Sequence, residues 1–300
     1  RVVTPDHSLT REGFTREDLF TVVHEQFMTE TAQMADIVLP ATMFVEHNDY
    51  YTRGGHTRVL YGPKIVDAPG EAMPNHFVIN EIAKRVGAPD AVTEKTDREM
   101  VAETFSRSGY GDLDEIEAAS GFVDRALPDD KSRYTDGFAW PDGKFRFKPD
   151  WEATRIKRGV EWVCDPSEMP AMVDFMNWNE PTTEKVPFRL ATSPARTFLN
   201  STFGETPGSQ KREGTPSLLM HPEDAARLAL QDGAPVTIGN HRGSVELTLR
   251  LFNGLRPGVV VAEGLHPHKA HRKGRGINTL IGSDPVKPFG GAAFHVFFLF

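Results

Sequence analysis

Phe188–Thr202 reads FRLATSPARTFLNST, and the meaning given to this stretch decides how the rest of the chain is understood. The short apolar run Phe188–Ala191 predicts a strand. It leads into Thr192 and Ser193, then Pro194, Arg196, Asn200, Ser201 and Thr202. Hydroxyls and backbone N–H groups donate to phosphate oxygens, and an Arg can do so bidentately, so a strand ending this way reads as a phosphate grip. The plainer reading is a polar loop closing a strand, which is the commoner case for such a pattern on its own.

From Pro187 onward the character is β. Ser217–Met220 predicts a strand, and His221-Pro222-Glu223-Asp224 opens a helix with Pro in its first turn and two acids against the positive end of the dipole. Asp232-Gly233 stops that helix. Pro235–Ile238 predicts a strand, Asn240-His241-Arg242-Gly243 a turn, and Val245, Leu247, Leu249 and Leu251 alternate along a longer strand. Val259–Ala262 and the very apolar Phe294–Phe300 complete the set, the latter expected to be buried. Short strands, tight turns and one helix predict a small β-barrel. Within it, Gly274-Arg275-Gly276-Ile277-Asn278 gives the backbone room to approach a ligand and an amide that could read a ring edge; an ordinary glycine loop is the alternative.

Upstream, Leu19–Val23 predicts a buried strand, His24–Ala35 a short helix and Ile37–Leu39 a second strand closed by Pro40. In such α/β steps ligands sit beyond the carboxyl ends of strands, where His24 and Glu25 are expected. Residues 46–56, EHNDYYTRGGH, predict a loop lining a crevice; their histidines and acids make a weak case for a metal, which needs three or four converging ligands. Asn75–Val86 has Phe77, Val78, Ile82 and Val86 at helical spacing and predicts a helix covering one face of the sheet. Further helices are expected over Glu99–Phe105 and Leu113–Ala119, and a hairpin over Ala139–Phe147. Residues 151–187 have no clear period and read as a long connection anchored by Trp162, Phe175 and Trp178, with Cys164 a packed thiol.

Size and composition set limits. Three hundred residues predict about two domains. A net charge of -8 argues against a general nucleic-acid binder. No apolar run approaches the roughly 20 residues that span a bilayer, and the single cysteine excludes a cluster held by several thiolates of these 300 residues. The chain starts without Met and enters a strong element at once, so it reads as the C-terminal part of something longer, with a cytoplasmic location expected and a periplasmic one if an export signal lies upstream.

These pieces resemble the C-terminal part of the molybdopterin oxidoreductases, the dimethyl sulfoxide reductase family. The resemblance is carried by EQFMTETAQMADIVLPATMFVEHNDYY and PGEAMPNHFVINEIAKRVG, then by LATSPARTFLNST, HPEDAARLALQDGAPVTI, RGSVELTLRLFNGLRPGVV and GINTL, in that order, with a weaker echo in FAWPDGKFRF. It implies a partial, Rossmann-like α/β domain over 1–105, a connecting region over 106–185, and a molybdopterin dinucleotide-binding double-psi β-barrel over 186–300. It also implies a molybdenum or tungsten ion held by two molybdopterin guanine dinucleotides, with two-electron redox or oxygen-atom transfer at the metal. The cofactor contacts it implies fall on His24, Glu25, His47, Asn75, Thr192, Ser193, Asn200, Ser201, Asn278 and His295. Asn75 replaces an acid and His295 a basic residue of the family pattern. The metal-ligand residue and any iron–sulfur Cys motif, such as one binding a 4Fe–4S cluster, lie upstream of these residues. The fragment is therefore expected to be inactive alone and to need the rest of its enzyme, with an electron-transfer subunit as a further partner. Two other readings stand beside this one. The first is a structural subunit of a respiratory complex that kept the fold and lost the cofactor, which Asn75 and His295 favour and the intact polar loops oppose. The second is an unrelated small-molecule-binding barrel, which leaves the ordered motifs unexplained.

Overall fold

The computed structural model describes residues 3–52, 54–88, 92–128, 131, 133–153, 165–172, 174, 182–200, 202–285 and 297–298. They form two compact units: Thr21–Met28 with Ala35–Phe145, and Arg1–Phe20 with Thr29–Met34 and Arg146–Phe300.

Helix α1 (His7–Phe14) belongs to the second of these units and has little apolar patterning to announce it. Its start is fixed by Asp6, whose carboxylate accepts the Leu9 N–H at 3.3 Å.

In the α/β unit, β1 (Val22–Glu25) and β2 (Ile37–Pro40) pair in parallel, Val22 opposite Ile37 and Glu25 opposite Pro40. The strand expected at Leu19–Val23 thus lies further along the chain, and Val22 is 47% exposed rather than buried. The register is set by a contact between residues fifteen apart. The Asp36 carboxylate accepts the Thr21 N–H at 2.7 Å and the Asp36 N–H donates back to Thr21 O, so the ladder begins after Thr21. His24 and Glu25 are consequently the last two residues of the strand and do not lie beyond it. The expected helix over His24–Ala35 is a single 3₁₀ turn, Ala32–Met34.

Of the loop expected over 46–56, Asp49–Thr52 is a strand, while 46–48 and 54–56 are bends, turns or irregular. Strands β3 (Asp49–Thr52), β4 (Arg58–Gly62) and β5 (Phe122–Asp124) form an antiparallel sheet in the order β3-β4-β5. Val59 and Tyr61 of β4 pack with Val101, Phe105 and Leu113 in one core cluster. Helices α2 (Asn75–Arg85), α3 (Asp97–Arg107) and α4 (Leu113–Ala119) fall where the sequence predicts them. A reciprocal cap starts α3, Thr96 accepting from the Glu99 N–H and Glu99 from the Thr96 N–H. The stripe of α2 does not cover the sheet as expected: Phe77, Ile82 and Val86 are exposed, while Asn80 and Ala83 are buried. Asn80 has a reason to be inside, since it exchanges hydrogen bonds with the backbone of Thr93 at 2.8 and 3.2 Å. Ala139–Phe147 keeps its turn, with the Phe138 N–H donating to Gly143 O at 2.8 Å, but has no flanking strands.

The second unit is organised by a six-stranded sheet in the order β11-β6-β10-β7-β9-β8. Its strands are β6 (Phe188–Ser193), β7 (Ser217–Met220), β8 (Pro235–Asn240), β9 (Gly243–Leu251), β10 (Val259–Glu263) and β11 (Phe297–Phe298). Two pairs are parallel, β6 with β10 and β7 with β9; the other three pairs are antiparallel. The sheet curls until its edge strands β11 and β8 touch, a half-barrel in agreement with the predicted barrel. Alternation does the work: Val236, Ile238, Val245, Leu247 and Leu249 face a core shared with Phe188, Leu218, Met220 and Val260. Each such side chain contributes about 1.5–3 kcal/mol by leaving water.

Helix α5 (Pro207–Glu213), without an apolar stripe, was not signalled by the sequence. Helix α6 (Pro222–Arg227) has the expected Pro in its first turn and is capped by His221. Asp224 does more than complement its dipole: it is 4% exposed and accepts the Gly258 N–H at 2.6 Å. Trp162, Cys164, Phe175 and Trp178 lie outside the described residues, as does most of the terminal run Phe294–Phe300.

Candidate cofactor-binding site

Strands β6 and β10 run parallel with Ser193 opposite Glu263, so their C-terminal ends open side by side. There the Gly264 N–H donates to Ser193 O at 2.7 Å, with Gly264 in the left-handed region at φ 74°. A Cβ at that position would stand 2.8 Å from both Ala195 Cβ and Phe198 Cζ, so only glycine lets the loop after β6 lie this close.

That loop is pinned from α5. The Thr197 N–H and hydroxyl both donate to Glu213 Oε1, at 2.6 and 2.7 Å, and the Ser209 hydroxyl donates to Thr197 O at 2.9 Å. The hydrogen bond from Thr197 holds the Glu213 carboxyl below its ordinary range, against a smaller opposing effect of burial. Asn200 sits at φ 52°, a conformation Asn tolerates better than most residues. Opposite, the 3₁₀ turn Ile277–Leu280 carries Asn278, which is 3% exposed; Asn240 donates to Leu280 O at 2.8 Å and holds the far end of the turn.

The result is a cleft of about 330 Å³ that brings together Thr192, Ser193, Asn200 and Asn278, with Val3, Leu199, Leu265 and Ile281 as apolar walls. Among the described residues lining it, none is an acid. Hydroxyl and amide donors over apolar walls, without a carboxylate to repel an anion, suit a nucleotide carrying phosphate, and the volume is at the lower end of the roughly 300–1,000 Å³ usual for ligand sites. Arg196 is exposed and outside the lining. Ser201 and His295 lie outside the described residues.

The α/β unit places its residues differently. The His24 Nε2–H donates to the carbonyls of Met73 and Pro40 at 3.1 and 3.2 Å, and Nδ1 lies 3.0 Å from Asn75 Oδ1. The Nε2–H thus ties β2 to the start of α2, with the Asn75 side-chain amide beside Nδ1. The Glu25 carboxylate accepts the Gln26 N–H at 2.8 Å. His47 Nδ1 lies 2.8 Å from the Thr42 hydroxyl. His47 and Asn75 share a cleft of about 220 Å³ with Asn48 and Asp97. Burial pushes the Asp97 carboxyl up, but hydrogen bonds from Asn48 and the Arg98 backbone outweigh it and leave it below its ordinary range. Among the described residues no group of three or more His, Cys, Asp or Glu stands close enough together to hold a metal ion.

Sequence reasoning missed the supports of the cleft, Thr197, Glu213 and a group of buried histidines at 266, 268 and 271. Their only signal was the unread run HPHKAH at 266–271.

A curled sheet with paired parallel strands and a donor-lined cleft at the strand ends defines a cofactor-binding barrel module. Residues 188–297 match the family model described as "Molydopterin dinucleotide binding domain", and residues 2–85 match "Molybdopterin oxidoreductase". The probable oxidoreductase YoaE of Bacillus subtilis is 33% identical over 97% of this chain and 41% of its own length. A nitrate reductase of Symbiobacterium thermophilum is 29% identical over 82% of this chain and 33% of its own. Acetylene hydratase from Pelobacter acetylenicus shares the fold with a TM-score of 0.73, at 20% identity over 93% of this chain and 39% of that one. The chain belongs to the molybdopterin oxidoreductases of the dimethyl sulfoxide reductase family, and its barrel is the molybdopterin dinucleotide-binding domain. It spans between a third and about two fifths of the length of these curated relatives. No described helix is long and apolar enough to cross a membrane.

Proposed function

We propose that the barrel cleft holds the guanosine and pyrophosphate ends of a molybdenum or tungsten bis(molybdopterin guanine dinucleotide), within an enzyme of which this chain is one part. The observation that carries the reading is the convergence of Thr192, Ser193, Asn200 and Asn278, from two segments far apart in sequence, on one cleft whose described lining holds no acid. Thr192 and Ser193 act as hydroxyl donors to phosphate oxygens, with Ser201 expected beside them. Buried Asn278 presents its amide to the edge of the purine. In the α/β unit, Glu25, His47 and Asn75 serve as further contacts, with His24 holding the frame on which Asn75 sits; His295, outside the described residues, is the remaining expected contact.

When bound, the cofactor supplies two-electron redox or oxygen-atom transfer at its metal, while this chain supplies binding and orientation. The metal ligand, any 4Fe–4S cluster and an electron-transfer partner belong to other parts of the assembly, and a cytoplasmic location completes the reading. Full-length protein purified from a molybdate-fed host should carry molybdenum or tungsten together with guanine nucleotide. A preparation holding neither would overturn the reading and leave the cofactor-free structural subunit.

A further inference from the structure

We propose that His268 is the positioning residue that sets Asn278 in the cleft. The inference rests on the reading of the cleft as a dinucleotide site and adds a residue that does not itself line it. His268 is 5% exposed and lies beneath the glycine loop. The Gly276 N–H donates to its Nδ1 at 3.1 Å, and Gly276 is the residue on which the 3₁₀ turn bearing Asn278 starts. That contact places the ring proton on Nε2, which points toward Glu30 Oε2 at 3.9 Å. The Gly274 carbonyl, 3.3 Å from Nδ1, is the longer of the two loop contacts.

Geometry leaves the ring little freedom. On one side His7 stacks on it, with centroids 3.8 Å apart and planes inclined by 27°. Gly276 also lies so close that a Cβ there would be 3.2 Å from Nε2. Glu30 is itself 8% exposed and accepts the Lys269 N–H at 3.1 Å, which ties the backbone after His268 to the same carboxylate. A ring stacked by His7, hemmed in by Gly276 and with one nitrogen accepting from a loop amide transmits its position to that loop. Asn240 fixes the other end of the turn, so Asn278 is suspended between two side-chain anchors, with His268 acting at its entry.

The two amide side chains separate this role from mere filling of space. Asn at 268 can offer an oxygen where Nδ1 stands; Gln reaches to the place of Nε2 and leaves the Gly276 N–H without an acceptor. The test uses the full-length, cofactor-loaded protein as wild type, Asn278→Ala, His268→Asn and His268→Gln. Guanine nucleotide per chain is quantified after successive rounds of dialysis, with thermal unfolding followed in parallel. Retention in His268→Asn within about twofold of wild type is expected, and release roughly tenfold faster in His268→Gln, the scale of one lost buried hydrogen bond. Equal behaviour of the two variants, whether both retain or both release, overturns the positioning role. Should His268→Gln fail to fold, His268→Asn decides alone: retention supports the role and release contradicts it. If Asn278→Ala releases nucleotide no faster than wild type, the dinucleotide reading of the cleft fails, and the inference with it.

Discussion

The barrel and the α/β unit carry similar polar residues and use them in opposite ways. In the barrel, Thr192, Ser193, Asn200 and Asn278 face a cleft, and the work of holding the frame falls to others: Glu213 on Thr197, Asn240 on Leu280, Asp224 on Gly258. In the α/β unit, His24 is occupied with the backbone of Pro40 and Met73 and with Asn75, and His47 with Thr42. The apolar residues differ in degree. Leu218, Ile238, Leu249 and Val260 are fully buried in the large barrel core, whereas the α/β unit has a smaller core around Val59, Val101, Phe105 and Leu113 and leaves Val22, Ile37, Phe77, Ile82 and Val86 exposed. A residue type at a family position therefore has no fixed meaning. Over a closed core with separate supports it is free to meet a ligand, and where the frame is thin it is drawn into the frame.

The contrast can be broken most directly at the cores. Leu249→Ala, at a position 0% exposed, should destabilise the barrel by about 2–5 kcal/mol, while Ile82→Ala, on the open face of α2, should change stability by less than about 0.5 kcal/mol. Denaturant unfolding of the full-length protein checks both, and comparable losses would mean that the α2 stripe is as well packed as the barrel core. A second expectation concerns acid. His271 is 7% exposed with neither ring nitrogen hydrogen-bonded, and burial, reinforced by the neighbouring charges of His266 and His268, pushes its pKa down to about 4. Between the unfolded value near 6.5 and that folded value the unfolded chain binds the extra proton. Stability is therefore full above the unfolded value and falls as pH drops through this window, by on the order of 3 kcal/mol at its lower end. His271→Leu should flatten that slope in thermal unfolding measured from pH 7 to 4. An unchanged slope would place its origin in another group.

Much of the barrel was legible because its strands alternate cleanly: Val236 and Ile238, then Val245, Leu247 and Leu249, each facing one core. The cleft was legible in part, because Thr192, Ser193 and Asn278 stand where strand ends and a glycine loop announce themselves. Elements without a period escaped. Helices α1 and α5 are held by caps and tertiary hydrogen bonds rather than an apolar stripe, and β3 presents Asp49-Tyr50-Tyr51-Thr52, in which no simple alternation shows. The shift of β1 depends on Asp36 reaching back to Thr21, a long-range contact that no local window contains. Glu213 and His268 were hidden for the same reason, since each acts on a residue it meets only in the fold.

The central claim is that the barrel cleft binds the nucleotide end of the cofactor through Thr192 and Asn278. Mass-spectrometric measurement of guanine nucleotide per chain in full-length wild type and in the Thr192→Ala/Asn278→Ala double variant tests it most directly. Guanine nucleotide is expected in the wild type, with its loss, by about tenfold or more for two donor contacts of which Asn278 is buried, in a double variant that still unfolds cooperatively. Equal guanine nucleotide in both proteins would contradict it.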